Sequence, residues 1–460
     1  MNIMNYETED TIAALSTAAG KSAIAVIRLS GRQSPDIIEK IFETKSQDKQ
    51  IKYGYIVDGN NKIDEVLCAF FKAPDTYTGE DLIEISTHGN PVIVKEILDL
   101  LYKNGARPAE PGEFTYRAFI NGKKDLAQAE AVCALISSKT AAAAKAALNN
   151  VSGEFSNKIK GIKNTLINLL AYMEVSLDHP EENIMFLSRE EKTERLGNLI
   201  EQNQKLIENY KVSESLQKGL KAAIIGKPNA GKSSLLNAIL GKNRAIVTEI
   251  EGTTTDTIEE IIDCRGIPLT IIDTAGIRTH TENSIEVLGQ ERSKDAVQKA
   301  DLIIWVIDGS QPLDKNDQEI ADFITKSNLN TPIIEVVNKS DLPSVIARND
   351  KVVTRQSRVA SLAVSSKTGS GIPELLDAIA KIAGITETND YLMITSRHFD
   401  LLKKAQCALE KTKEQYMLQD ADEIAAFELR TALAAYEDIL GITTSHDILD
   451  TIFSNFCIGK

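Results

Sequence analysis

The segment Gly226-Lys227-Pro228-Asn229-Ala230-Gly231-Lys232-Ser233 constrains this chain more than any other. It fits G-x-x-x-x-G-K-[ST]. The apolar run at 220–225 before it reads as a strand, and residues 234–240 after it read as a helix. In that context the backbone N–H groups of the loop converge on phosphates at a helix N-terminus. The glycines let the backbone close around the anion, Lys232 reaches the outer phosphates, and the Ser233 hydroxyl ligates magnesium. The bland alternative is a Gly-rich turn that matches by chance, and the strand–loop–helix setting argues against it.

Further elements follow in order, each at a strand end. Residues 269–273 (LTIID) read as a strand running into Asp273-Thr274-Ala275-Gly276. An Asp there can hold the magnesium shell and the Gly276 N–H can meet a γ-phosphate. Upstream, Thr254 in the loop Gly252-Thr253-Thr254-Thr255-Asp256 is the best placed threonine for the same ion. Downstream, residues 332–337 read as a strand ending in Asn338-Lys339-Ser340-Asp341. The Asp341 carboxylate can accept from both N1–H and the exocyclic amine of guanine; adenine would leave it unpaired. Ser365-Ser366-Lys367 can support the base from below. The pattern therefore predicts a GTP site. After Asp273-x-x-Gly276 comes Ile277, where Ras-like proteins carry a water-orienting glutamine. Hydrolysis is then slow or uses another group; Arg278, Glu282 and Glu286 are the nearby candidates, and a solvated charged face is the plainer reading of each alone.

At 460 residues the chain is too long for one core and predicts two to four domains. Residues 1 to about 120 alternate strand-like and helix-like runs: strands at 22–29, 51–71 (broken by Asp58-Gly59-Asn60-Asn61) and 82–86, helices at 35–42 and 91–102. From 125 to about 210 Ala, Leu, Lys and Glu dominate; residues 125–148 read as a strong helix former, with further helices at 156–175 and 189–210. Strands and helices alternate in the doubly wound manner from 219 to about 385, and helices return at 396–418 and 422–439. The expected fold is multidomain, α+β and α/β: an N-terminal domain at 1–120, a helical domain at 121–215 and 386–460, and a P-loop domain inserted at 216–385. The 42% apolar content is ordinary, and no uncharged apolar run reaches the roughly 18 residues of a membrane span. The N-terminus lacks the pattern of a secretory signal. Five scattered cysteines point to a reducing cytoplasm and against zinc. A net charge of −14 argues mildly against RNA unless a local basic patch or a partner holds it.

Several motifs lie outside the nucleotide segment: Asp10-Thr11-Ile12-Ala13-Ala14, Arg28-Leu29-Ser30-Gly31, Tyr77-Thr78-Gly79-Glu80-Asp81, Pro111-Gly112-Glu113-Phe114-Thr115, Asp125-Leu126-Ala127-Gln128-Ala129-Glu130-Ala131 and Phe456-Cys457-Ile458-Gly459-Lys460. With these, essentially the whole chain resembles the MnmE (TrmE) family of tRNA-modification GTPases. The resemblance implies an N-terminal domain that dimerises and binds a reduced folate of the 5-formyltetrahydrofolate type. It implies a homodimer working with a flavin-dependent partner of the MnmG (GidA) type. Together they place an aminomethyl or carboxymethylaminomethyl group on C5 of the wobble uridine of certain tRNAs, with potassium-dependent GTP hydrolysis driving the cycle. Mapped onto this sequence, the folate ligands are Arg28, Glu84, Lys123 and Lys460. Arg and Lys suit the folate's carboxylates, and Glu84 can accept from the pterin amine. The GTP ligands include Asn229, Ala230, Gly231, Lys232, Ser233 and Ser234, then Thr248, Glu249, Ile250, Glu251, Gly252, Thr253 and Thr254. Potassium falls to Asn229, Thr248, Ile250 and Thr253, and the water-positioning carboxylate to Glu286. Cys457 has either a chemical role or a structural one; a lipid anchor does not fit its flanks. Two departures from the family pattern are Asn90, after His88-Gly89 where a second glycine is usual, and Thr255, often arginine.

Two rival functions fit the same nucleotide motifs. One is a regulatory GTPase of ribosome assembly, which would have no use for Arg28, Lys123 and Lys460. The other is a scaffold that leaves all modification chemistry to its partner.

Overall fold

The computed structural model describes residues 9–44, 50–178, 187–242, 261–272, 297–327, 331–343, 358–385, 391–418 and 422–460. Packing divides the chain into two compact units, one from residues 1–133, 150–203 and 400–460, the other from 134–149 and 204–399.

The first unit opens with β1 (Ile12–Leu15), β2 (Ser22–Ser30), α1 (Ser34–Ile41), β3 (Phe42–Thr44), β4 (Ile51–Asp58), β5 (Asn61–Phe71), β6 (Leu82–Gly89), α2 (Pro91–Lys103), β7 (Arg107–Pro108) and α3 (Glu113–Ile120). Its sheet has the order β3-β4-β5-β6-β2-β1-β7, antiparallel except for β1 against β7. The strands alternate, as a sheet packed on one face requires. Ala25, Ile27 and Leu29 of β2 point into a core shared with Ile37, Ile38 and Ile41 of α1 and Val94, Ile97 and Leu101 of α2. Arg28 and Glu84, one residue out of phase, stand on the other face. Helix α2 starts where it does because Asn90 caps it: its side chain accepts from Val92 N at 2.9 Å, with Pro91 in the first turn. The departure from the family pattern at this position is thus a helix cap.

A buried charge network fixes the segment around α3. Arg117, fully buried, meets Asp10 at 2.5 Å, Glu113 at 2.9 Å and Glu80 at 3.2 Å, and Arg107 bridges Asp10 and Glu113. Ser30 donates to Glu80 at 2.8 Å. Burial of an arginine is tolerable only with such a set of acceptors.

Four helices follow: α4 (Leu126–Ser137), α5 (Ala141–Val151), α6 (Glu154–Asp178) and α7 (Arg189–Lys218). The Ala-rich stretch 125–148 is two helices, where the sequence reads as one strong helix former. Ser138 folds its hydroxyl back onto the Ala134 carbonyl at 2.7 Å, and Thr140 starts α5 by accepting from Ala143 N at 3.2 Å. Local side-chain hydrogen bonds outcompete the helix ladder there.

The second unit carries β8 (Leu220–Ile225), α8 (Lys232–Lys242), β9 (Ile261–Cys264), β10 (Ile267–Ile272), β11 (Leu302–Asp308), α9 (Lys315–Ser327), β12 (Ile333–Asn338), β13 (Arg358–Ala363) and α10 (Ile372–Ile382). The sheet order is β13-β12-β11-β8-β10-β9, parallel except for β9. Core clusters lie on both faces, which is why β11 is buried over its whole length and apolar up to its last residue, Asp308. The chain continues through α11 (Ser396–Leu418), α12 (Asp422–Leu440) and α13 (His446–Phe453). Within the first unit Asn203 ties the helices together: it donates to Leu402 O at 2.9 Å and Gln406 at 2.8 Å, and accepts from Tyr436 at 3.0 Å. Among the described residues no helix is long and apolar enough to cross a membrane.

Candidate functional site

The loop between β8 and α8 lies at the carboxyl end of the parallel sheet, where ligands of such folds gather. Asn229 has φ 63 and Gly231 φ 96. Gly231 must be glycine for a second reason, since a Cβ would collide with the Asn338 carboxamide. Gly226 likewise leaves no room before the Val306 carbonyl. Lys232 Nζ donates to the carbonyls of Gly226 at 2.8 Å and Lys227 at 2.9 Å, and burial pushes its pKa down.

Asn338 knits three loops. Its Nδ2 donates to Ala230 O at 2.9 Å, while its Oδ1 accepts from the Ser366 N–H at 3.1 Å and hydroxyl at 2.8 Å. Asp341 accepts from the Ser365 hydroxyl at 2.7 Å, which holds its carboxyl below the usual range. Ser340 N donates to Val364 O at 3.1 Å, fixing the same loop to the Ser365-Ser366-Lys367 turn. Gly231, Ser234, Asn338, Lys339, Asp341, Ser366 and Lys367 are among the walls of one cavity of about 670 Å³. That is room for a nucleotide base and sugar beside a phosphate loop. Asn237 and Ala238 of α8 also line it, two residues that motif reading passes over.

Sequence reading also misses a set of carboxylates. Lys339 (φ 63) reaches Asp308 at 2.6 Å, and Lys227 reaches Asp317 at 2.8 Å and Asp314 at 3.0 Å. Burial works against the Asp308 charge, but hydrogen bonds from Lys339 and Ser310 outweigh it and keep its pKa low. The available signal was position: Asp308 ends an apolar parallel strand, and Asp314-x-x-Asp317 has capping-box spacing. The predicted ligands Thr248, Glu249, Ile250, Glu251, Gly252, Thr253, Thr254, Asp273, Thr274, Ala275 and Gly276, together with Glu286, lie outside the described residues.

In the first unit, Arg28 and Glu84 are register partners across β2 and β6, and Arg28 Nε donates to Glu84 at 2.8 Å. The Arg28 guanidinium lies 5.5 Å from the centre of the Tyr77 ring, and its Nη1 is buried without a hydrogen-bond partner. Lys460 is close enough to feel their charges: burial first, then the Arg28 charge, lowers its pKa, against the opposing pull of Glu84. Gly459 (φ 90) permits this approach; its carbonyl accepts from Ser16 at 3.0 Å, and a Cβ there would strike the Leu15 carbonyl. Phe456 anchors the segment against Phe453 at 5.3 Å between ring centres. Lys123 is exposed on the turn after α3, beside Gly79. Its neighbour Lys124 is the half-buried one, 5.7 Å from the Tyr77 ring centre, with its pKa lowered by burial. Cys457 is exposed, and its carbonyl accepts from Gly112 N at 3.4 Å.

The parallel sheet, its phosphate loop and the cavity beside it define a P-loop nucleotide-binding protein. Residues 126–457 match the family model described as the MnmE helical domain, and residues 11–123 match that of the GTP-binding protein TrmE N-terminus. The tRNA modification GTPase MnmE of Endomicrobium trichonymphae is 63% identical over 459 residues, 99% of this chain and 100% of the relative. That of Aquifex aeolicus is 43% identical over 456 residues, 98% and 100%. A GTP-binding protein from Sulfolobus solfataricus, solved in complex with GDP, is 16% identical and covers 48% of this chain and 67% of its own, with a TM-score of 0.27, too low to carry an argument. The chain belongs to the MnmE family of tRNA modification GTPases.

Proposed function

We propose that this chain binds GTP in the cavity beside Gly226–Ser233, hydrolyses it, and couples the cycle to modification of the wobble uridine at C5 in certain tRNAs. The observation that carries the nucleotide reading is Asp341: a carboxylate kept ionised by Ser365 on the wall of the cavity, suited to the two donors of guanine. Ser233 supplies a hydroxyl for magnesium, and Asn229, exposed within the phosphate loop, a neutral oxygen for potassium. Thr254 completes the magnesium set, Thr248, Ile250 and Thr253 the potassium set, and Glu286 positions water. The buried, partnerless Arg28 Nη1 suits an anionic acceptor, which supports a reduced folate held by Arg28, Glu84, Lys123 and Lys460. In this reading the protein is a cytoplasmic homodimer, organised as domains 1–120, 121–215 with 386–460, and 216–385, and a flavin-dependent partner shares the chemistry. Three measurements test it: competition of GTP, GDP and ATP for the site, calorimetry with 5-formyltetrahydrofolate, and the nucleosides of tRNA from cells lacking the protein. Equal affinity for ATP and GTP overturns the first step, absent folate binding the second, and unchanged wobble uridines the third.

A further inference from the structure

One segment touches both the phosphate loop and the loop that follows β12. At its start Asp308 uses one oxygen for the Ser310 N–H (3.0 Å) and hydroxyl (2.6 Å), and the other for Lys339. Gly309 N donates to Asn338 O at 2.9 Å, and a Cβ on Gly309 would stand 2.8 Å from that same oxygen, so the contact is close-packed. At its end Asp314 and Asp317 form a reciprocal cap on α9: Asp314 N donates to Asp317 Oδ2 at 3.1 Å, and Asp317 N to Asp314 Oδ1 at 3.0 Å. Capping alone needs no cation. Yet Lys227 lies across both carboxylates, itself buried, and the Asp317 side chain is almost fully enclosed. The Lys227 carbonyl is one of the two that hold Lys232 Nζ, so the side chain in the latch and the carbonyl that aims the phosphate-binding lysine belong to one residue.

We propose that residues 308–317 act as a strut that sets the spacing of the phosphate loop and the base loop through two lysine latches, Lys227 on Asp314 and Asp317, and Lys339 on Asp308. Asp317 and Asp308 are then positioning residues for GTP turnover. The two latches differ in what they hold. Loosening the first lets the Gly226–Lys227 peptides turn and misplaces Lys232 against charge developing on the phosphates, an error that grows in the transition state. Loosening the second displaces Ser340 and Asp341 beneath the base, an error felt equally in the ground state.

The inference rests on the GTP reading of this cavity. It is tested in the full chain with Lys227→Met, Asp317→Asn, their double variant, Lys227→Arg and Asp308→Asn, each assayed well below its own melting temperature. Asn at 317 keeps the helix cap and loses only the charge. Lys227→Met and Asp317→Asn should each lower kcat about tenfold with KM within about twofold, and the double variant should be no worse than the poorer single. Lys227→Arg should restore most of the rate. Asp308→Asn should raise KM and the Kd of GTP and GDP alike by about tenfold, more than it lowers kcat. Additive losses at Lys227 and Asp317, or lower melting temperatures with kcat and KM intact, overturn the strut and leave these as merely structural ion pairs. Failure of the unaltered protein to bind GTP would instead overturn the nucleotide reading.

Discussion

The two sheets place their candidate sites in opposite ways. In the parallel sheet both faces are buried, the strands are mostly apolar, and the polar groups of the candidate site collect at and beyond the strand ends. Each loop there is a contiguous stretch, Gly226–Ser233, Asn338–Asp341 or Ser365–Lys367. In the antiparallel sheet one face carries α1 and α2, and the other face bears the candidate ligands Arg28 and Glu84. Its residues lie far apart in the chain: Arg28 pairs with Glu84, and the charge of Lys460 feels both. A site of loops is written as local motifs, whereas a site on a sheet face is written only in the register.

The largest effect expected from that difference is on stability. The sheet that bears the second candidate site is braced by Arg117, whose loss leaves Glu80 without its cation and Asp10 and Glu113 sharing Arg107 alone around a buried position. Arg117→Met should destabilise the first unit by roughly 3–5 kcal/mol, the usual cost of breaking a buried ion cluster from one side. Calorimetric scanning should show its transition move down while the GTP affinity of the second unit stays. A uniform loss of both would mean that the two sites do not stand on separate supports.

Next in size is a change in the loop-borne site that leaves stability alone. Asp341→Asn keeps a partner for Ser365 but faces the guanine donors with a donor of its own. GTP affinity should fall about a hundredfold, equivalent to roughly 2–3 kcal/mol, with xanthosine triphosphate gaining in return. Retained GTP preference in fluorescence titrations would remove Asp341 from the base.

Legibility followed the same division. The phosphate loop, the base-reading loop and the turn of β4 into β5 follow from local patterns, because each depends on residues within one short segment. The pairing of Arg28 with Glu84 follows only from register, and the approach of Lys460 only from the Gly459 turn against Ser16; residue patterns alone contain neither, and only the resemblance to a family named these residues as one set. The carboxylates Asp308 and Asp317 went unread because their partners are lysines on other strands' loops. The split at Ser138–Thr140 went unread because strong helix propensity on both sides masked two local hydrogen bonds.

Gly459 tests the register-dependent site without touching a ligand. Its positive φ and its contact with the Leu15 carbonyl both exclude a Cβ. Gly459→Ala should shift Lys460 and weaken binding of the folate about tenfold, the worth of one charge-assisted hydrogen bond, with GTP affinity unchanged. Undiminished folate binding by calorimetry would take Lys460 out of that site.

The smallest effect concerns a pair on the same antiparallel sheet that serves no proposed ligand, and so separates sheet electrostatics from site electrostatics. His88 Nδ1 lies 2.7 Å from Asp64, whose carboxylate also accepts from the Thr87 hydroxyl and, at 2.8 Å, from the His88 N–H. The hydrogen bond to Asp64 raises the His88 pKa, with Glu65 adding to it. Burial opposes the Asp64 charge, but the bonds from Thr87 and His88 prevail and lower its pKa. The signs then run in opposite directions. The His88 contribution is complete below the ordinary histidine value of about 6.5 and is lost as pH rises through its raised folded value. The Asp64 contribution is present above the ordinary value of about 3.9 and is lost as pH falls through its depressed one. His88 is solvent-facing, so the gain is small and screened by salt. Proton NMR should place the His88 midpoint above that of a free histidine, and Asp64→Asn should return it towards about 6.5. The Thr87 and backbone bonds survive that change, so the unit should stay folded while the midpoint moves. An unmoved midpoint would show that the pair is not formed in solution.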